Sequence, residues 1–202
     1  MKNTVLILCF ACALPSSFLW AQSISSTITA EQGKLLTSQL DSIFTEDQTY
    51  REKLHTQHNL SPAETNQLIS AMNTTDSINL IKVKFILNQY GWLGPDVIGG
   101  QGNQTLFLVI QHADLKTQEK YLPMMKEAVK NGKAQGSHLA LLVDRVEMNN
   151  GRPQVYGSQI NGDTIYKILD EVNVNKRRAE VGLEPLEEYA KQFNIDYKPL
   201  TK

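Results

Sequence analysis

Apolar residues recur at helical spacing through the first third of the chain. Leu36, Leu40, Ile43 and Phe44 share one face of a helix predicted over about 30–44, and Ile78, Ile81 and Phe85 share a face over about 76–89, so both stripes are expected to face a core. Three helix starts are marked. Thr29 with Gln32 and Thr45 with Gln48 have capping-box spacing, and Ser61-Pro62-Ala63-Glu64 adds a proline at the first helical position. Gly91, after Tyr90, is a helix stop. Residues 91–102 carry five glycines and Pro95 and read as a shaped loop. They hold neither a GxGxxG pattern nor a Gly-Lys-Ser/Thr ending, so a turn that needs positive φ is favoured over a phosphate cradle.

Further on, Leu106 to Ile110 is apolar on every side and is read as buried helix. Leu115 to Asn131 is amphipathic through Leu122, Met125 and Val129, with a kink expected at Pro123 and a stop at Gly132. Ser137 is read as the cap of a short helix running to Leu142. Two Asn-Gly pairs, Asn150-Gly151 and Asn161-Gly162, favour the positive φ of tight hairpin turns and predict a three-stranded antiparallel meander over about 144–169. With each pair at the two turn positions, Val146 lies opposite Val155 and Val155 opposite Ile168, which lines one face with apolar side chains. Asn173 to Val181 then reads as a basic helix stopped by Gly182, and Pro185 opens a last helix with Leu186, Tyr189, Ala190 and Phe193 on one face. The fold class expected is α+β, mostly α-helical: one helical domain over residues 22–202 with a small meander.

Composition changes the picture at the front of the chain. Residues 1–21 have the make-up of a secretory signal, with Lys2, an apolar stretch from Val5 to Leu14, and Ala21 as the cleavage residue, which predicts export to a bacterial periplasm or the exterior. The apolar stretch is too short to span a membrane, and the residues ahead of Cys9 and Cys12 do not suit a lipid anchor. Both cysteines fall inside the signal, so the mature chain is expected to have no disulfide, thiolate nucleophile or cysteine metal site. The net charge is −1, or −2 without Lys2. No basic field invites nucleic acid.

Several spaced motifs stand out: Tyr90-Gly91-Trp92, Gln111-His112-Ala113-Asp114, Asp144-Arg145-Val146, Gly151 through Gln159 (GRPQVYGSQ), and Gly182-Leu183-Glu184-Pro185-Leu186 with Arg178. Over roughly residues 75–190 this set resembles an uncharacterised family of bacterial proteins known only as a domain of unknown function. The chain departs from that pattern at Leu93, where proline is usual, and at Ser158, where threonine is usual. The resemblance implies no activity and no cofactor.

The meander register sets the candidate chemistry. Asp144 shares the parity of Val146 and Gln159 that of Val155, so a carboxylate and an amide are expected at one end of the buried face, where each must find a partner. His112, at the polar end of the apolar helix, is the group expected to meet Asp144. Three readings follow. His112, Asp144 and Gln159 form a satisfied network tying helix to sheet; or, with Gln111, Arg145 and Tyr156, they line a pocket for a small ligand or cell-envelope component; or His112 is a general base oriented by Asp144 in a hydrolase-type enzyme. An envelope protein acting through an exposed apolar face is a further alternative. No metal site is expected, because His112 and Asp114 point to nearly opposite sides of a helix and neither His55, His58 nor His138 completes a spaced set. Ser158 lacks a Gly-x-Ser-x-Gly elbow. The Lys176-Arg177-Arg178 run reads as a solvated helix face, and Arg178, if turned inward, is expected to pair with a carboxylate such as Asp144.

Overall fold

Caps fix where the two longest helices begin. The computed structural model describes residues 28–200; the expected signal segment lies outside them. Helix α1 (Ala30–Thr56) starts at a reciprocal box in which the Thr29 hydroxyl accepts from the Gln32 N–H at 3.2 Å and the Thr29 N–H donates to the Gln32 side chain at 2.9 Å. Helix α2 (Pro62–Tyr90) starts at the same kind of box made by Ser61 and Glu64, with Pro62 just inside, and ends at Gly91, whose φ is 71°. Each such N-cap contributes about 1 kcal/mol. The expected start at Thr45 is not one. The helix runs straight through it, and the Thr45 hydroxyl turns back onto the Asp41 carbonyl at 3.1 Å.

Helix α3 (Pro95–Gln111) occupies most of the glycine-rich stretch that was expected to be a loop, with one break at Gly99, where φ is 71°. It lies along α1 and carries Leu106, Phe107, Val109 and Ile110 into the core against Leu36, Leu40 and Ile43 of α1 and Val83, Ile86 and Leu87 of α2. The buried face of α2 is therefore not the predicted one. Ile78, Ile81 and Phe85 point outward, with Ile81 71% exposed, while Val83, Ile86 and Leu87 make the denser stripe and win the core. Helices α4 (Leu115–Lys130) and α5 (Gly136–Asn149) pack on one another and close the other side. Asn103 is buried between the layers and donates at 2.7 Å to the carbonyls of both Leu93 and Lys133.

The predicted meander is the main correction. Residues 144–149 are helical, because α5 continues to Asn149; it begins at Gly136 without a side-chain cap from Ser137. Asn150-Gly151 ends that helix, with Gly151 at φ 72° just beyond the cap. Among the described residues only two strands form a sheet, β1 (Ile160–Asn161) and β2 (Thr164–Ile165), antiparallel with Asn161 opposite Thr164. The turn is thus Gly162-Asp163, one residue beyond the expected position. Gln154, not Val155, faces Ile168, in an isolated parallel bridge. Helices α6 (Val174–Glu180) and α7 (Leu186–Lys191) follow, and Ile168, Val174 and Leu186 form a second small core beneath them. No helix among the described residues is long and apolar enough to cross a membrane.

Candidate functional site

The expected cluster of His112, Asp144 and Gln159 divides into two separate arrangements. His112 is the C-cap of α3. Its Nδ1 lies 3.0 Å from Oδ1 of Asp47, not beside Asp144. Asp47 is 1% exposed and continues the buried stripe of α1, spaced as Gly33, Leu36, Leu40, Ile43, Asp47. Helical periodicity thus carries a carboxylate into the core, and the fold meets its need for partners with His112, the Gln48 amide at 2.7 Å, and the Arg51 guanidinium at 3.4 Å. Arg51 in turn grips Asp76 of α2 through two bonds of 2.9 and 2.7 Å.

Burial pushes the Asp47 carboxyl up, but the His112 hydrogen bond, the charges of His112 and Arg51, and the Gln48 amide outweigh it and hold the group below its ordinary 3.8. A depressed folded value means that Asp47 contributes stability above the unfolded value, and that this is lost as pH falls through the folded one. Asp47→Asn is therefore expected to flatten the fall of melting temperature between about pH 5 and about pH 2. A slope equal to that of the unchanged chain would show that the carboxylate is not held as described.

An ionised Asp47 makes Nδ1 of His112 the donor, which leaves Nε2 as the ring's other polar atom. Nε2 has no hydrogen-bond partner among the described residues and is not among the sealed polar atoms. His112 lines a cleft of about 290 Å³ together with Asp47, Asn73, Asp76, Ser77, Leu80, Val109, Ala113 and Asp114. Asp114 accepts from the Thr117 N–H at 2.7 Å and so caps α4 at the cleft's edge. Among the described residues no three side chains of His, Cys, Asp or Glu meet as metal ligands.

Asp144 belongs to a closed arrangement. It is fully buried, and its carboxylate accepts the backbone N–H groups of Val155 at 2.7 Å, Tyr156 at 2.9 Å and Ser158 at 2.8 Å. Burial pushes the carboxyl up and outweighs the pull of those three donors. Gln154 holds the same loop from its other side, accepting from the Gln159 N–H at 2.8 Å and donating to the Gln159 carbonyl at 3.1 Å. Gln159 is itself buried, with its amide on the Ser158 hydroxyl at 3.0 Å. Arg178 has turned inward, but toward carbonyls: it donates to Tyr156 at 2.8 Å and to Glu184 at 2.6 Å and lies over the Tyr189 ring, whose hydroxyl donates to the Ser158 carbonyl. Together these bonds clamp residues 154–159.

Of the other predicted positions, Tyr156 is half-buried in the clamp, Gln111 is buried at the end of α3, and Arg145 is half-buried on α5. Asp47 and Arg51 were not singled out in the sequence. The signal for Asp47 is its place on the α1 stripe, three turns beyond Leu36, where an apolar residue is due. No curated protein and no solved structure matches the chain. A family model does match residues 35–200, and the chain belongs to that family, described as "Family of unknown function (DUF6624)".

Proposed function

We propose that the chain is an exported binding module that takes a small polar ligand in the cleft between α1, α2 and the α3–α4 corner, with Nε2 of His112 as the contact in its wall. The observation that carries this is that His112, whose Nδ1 is committed to a buried carboxylate, also lines an open cleft. A purely structural tie between α1 and α3 would need Nδ1 alone and no open space beside it. Export rests on residues 1–21, which lie outside the described structure. A screen of small polar compounds by thermal shift tests the reading. A ligand at a hundredfold excess over its Kd stabilises by about 2.7 kcal/mol, and His112→Ala is expected to remove that shift. A stabilisation unchanged in His112→Ala would count against the cleft.

The same pair favours a second reading, a hydrolase-type enzyme in which His112 is the general base and Asp47 takes the orienting part expected of Asp144. Here His112→Ala would lower turnover by about 10²- to 10⁴-fold, as loss of a positioned base does. If every compound that binds is recovered unaltered after long incubation, this alternative is excluded and the first is not.

A further inference from the structure

Arg145 is a cation without a counter-ion. Its Nε is buried and has no hydrogen-bond partner, and none of the ion pairs among the described residues includes it. Guanidinium groups inside proteins are ordinarily met by carboxylates or carbonyls, as Arg178 and Arg51 are here, because an unpaired buried donor forfeits its hydration. The terminal nitrogens of Arg145 are also unbonded but reach the surface, since the residue is half-buried and only Nε is sealed.

A second unpartnered group belongs to the same region. Gln111 is 4% exposed and its Oε1 is buried with no donor. Its carbonyl is held at 2.9 Å by Gln118, whose own side-chain oxygen accepts from Asn149 at 3.4 Å. Asn149 is one turn beyond Arg145 on the same face of α5, so the Gln111 end of α3 lies over the face that carries the guanidinium. Burial foremost, and then the charge of Arg51, press the Arg145 guanidinium below the usual arginine range. Of these two arginines within range of mutual repulsion, Arg51 is committed to Asp47 and Asp76, and Arg145 is in no ion pair among the described residues.

We propose that Arg145 anchors an anionic group, a carboxylate or a phosphate, through its terminal nitrogens. The planar guanidinium offers its two terminal nitrogens, which reach the surface, to such a group. This site goes beyond the His112 cleft and does not depend on it.

The test titrates the chain with sodium phosphate and, separately, sodium acetate against sodium chloride at matched ionic strength, following melting temperature. A saturable shift with phosphate alone assigns a phosphoryl group, and one with acetate assigns a carboxylate. Arg145→Gln is expected to raise the anion's Kd by about tenfold or more, in line with loss of a charge-assisted pair, and to melt no lower than the parent without anion, because the charge it removes has no partner. Arg145→Lys is expected to retain part of the affinity. His112→Ala is expected to leave the anion response intact, which separates this site from the cleft. No saturable response in the parent chain overturns the proposal. So does a response equal in Arg145→Gln, which would be the general stabilisation that excluded salts give any folded chain.

Discussion

Asp144→Ala is expected to destabilise the folded chain by about 3–5 kcal/mol, the scale of losing one partner from a buried charged arrangement. The carboxylate is fully buried and is the sole side-chain acceptor for three backbone N–H groups within four residues. Removing it leaves those donors unpaired where water does not readily reach them. It also removes one of the negative charges, with those of Glu184 and Glu187, that act on the buried Arg178. Asp144→Asn keeps one acceptor oxygen but turns an amide toward N–H groups, so a loss of about half that size is expected. Urea unfolding followed by circular dichroism measures both. A loss below about 1 kcal/mol for the alanine variant would mean that the loop is held by contacts other than this one.

Gly157→Ala, in the same loop, is expected to cost about 2–4 kcal/mol from backbone strain and overpacking together. Gly157 has φ 72°, a conformation that side chains of L-residues seldom adopt. An added Cβ would lie 3.0 Å from Ile168 Cδ1 and 3.0 Å from Leu186 Cδ2, both in the small second core. Neither neighbour has room to move, since Leu186 is fully buried and Ile168 nearly so. A melting temperature within a degree or two of the parent would sink the argument. Because Asp144 and Gly157 act on one loop, the double variant is expected to lose less than the two single losses combined.

How far the fold was legible can be followed residue by residue. Thr29, Ser61, Gly91 and Gly132 were readable because capping is local chemistry, decided within four residues. The face of α2 was not, because that helix carries two apolar stripes, and only the rest of the molecule decides that Val83, Ile86 and Leu87 go inside. The false strand at 144–149 has a similar cause. Ala140, Leu142, Asp144 and Val146 are all buried, so α5 is covered on more than one side and its burial alternates like that of a strand. Asn150-Gly151 compounded the error, since positive φ serves a helix end as well as a hairpin turn.

The candidate site was legible in part. His112 stood out as a polar group at the end of an apolar helix, and it does meet a buried aspartate, but one 65 positions away on α1. Nothing local to Gln111-His112-Ala113-Asp114 names that partner. The clue lay in the spacing of α1, where Asp47 occupies a place that the stripe from Leu36 to Ile43 reserves for an apolar side chain. Asp144 and Gln159 are both buried, but on a helix and a loop and not on one strand face as expected. Their partners are backbone groups, however, and backbone donors leave no trace in the identity of a residue.

The ties that hold residues 154–159 reach forward to Arg178 and Tyr189, 22 and 31 positions later in the chain. The five long helices come first in the chain, and the last two follow the loop. The loop that Asp144 gathers is therefore fully fastened only with groups supplied by the later part of the chain. A shortened product ending before position 178 would have the aspartate and the loop but neither of the donors that finish the closure.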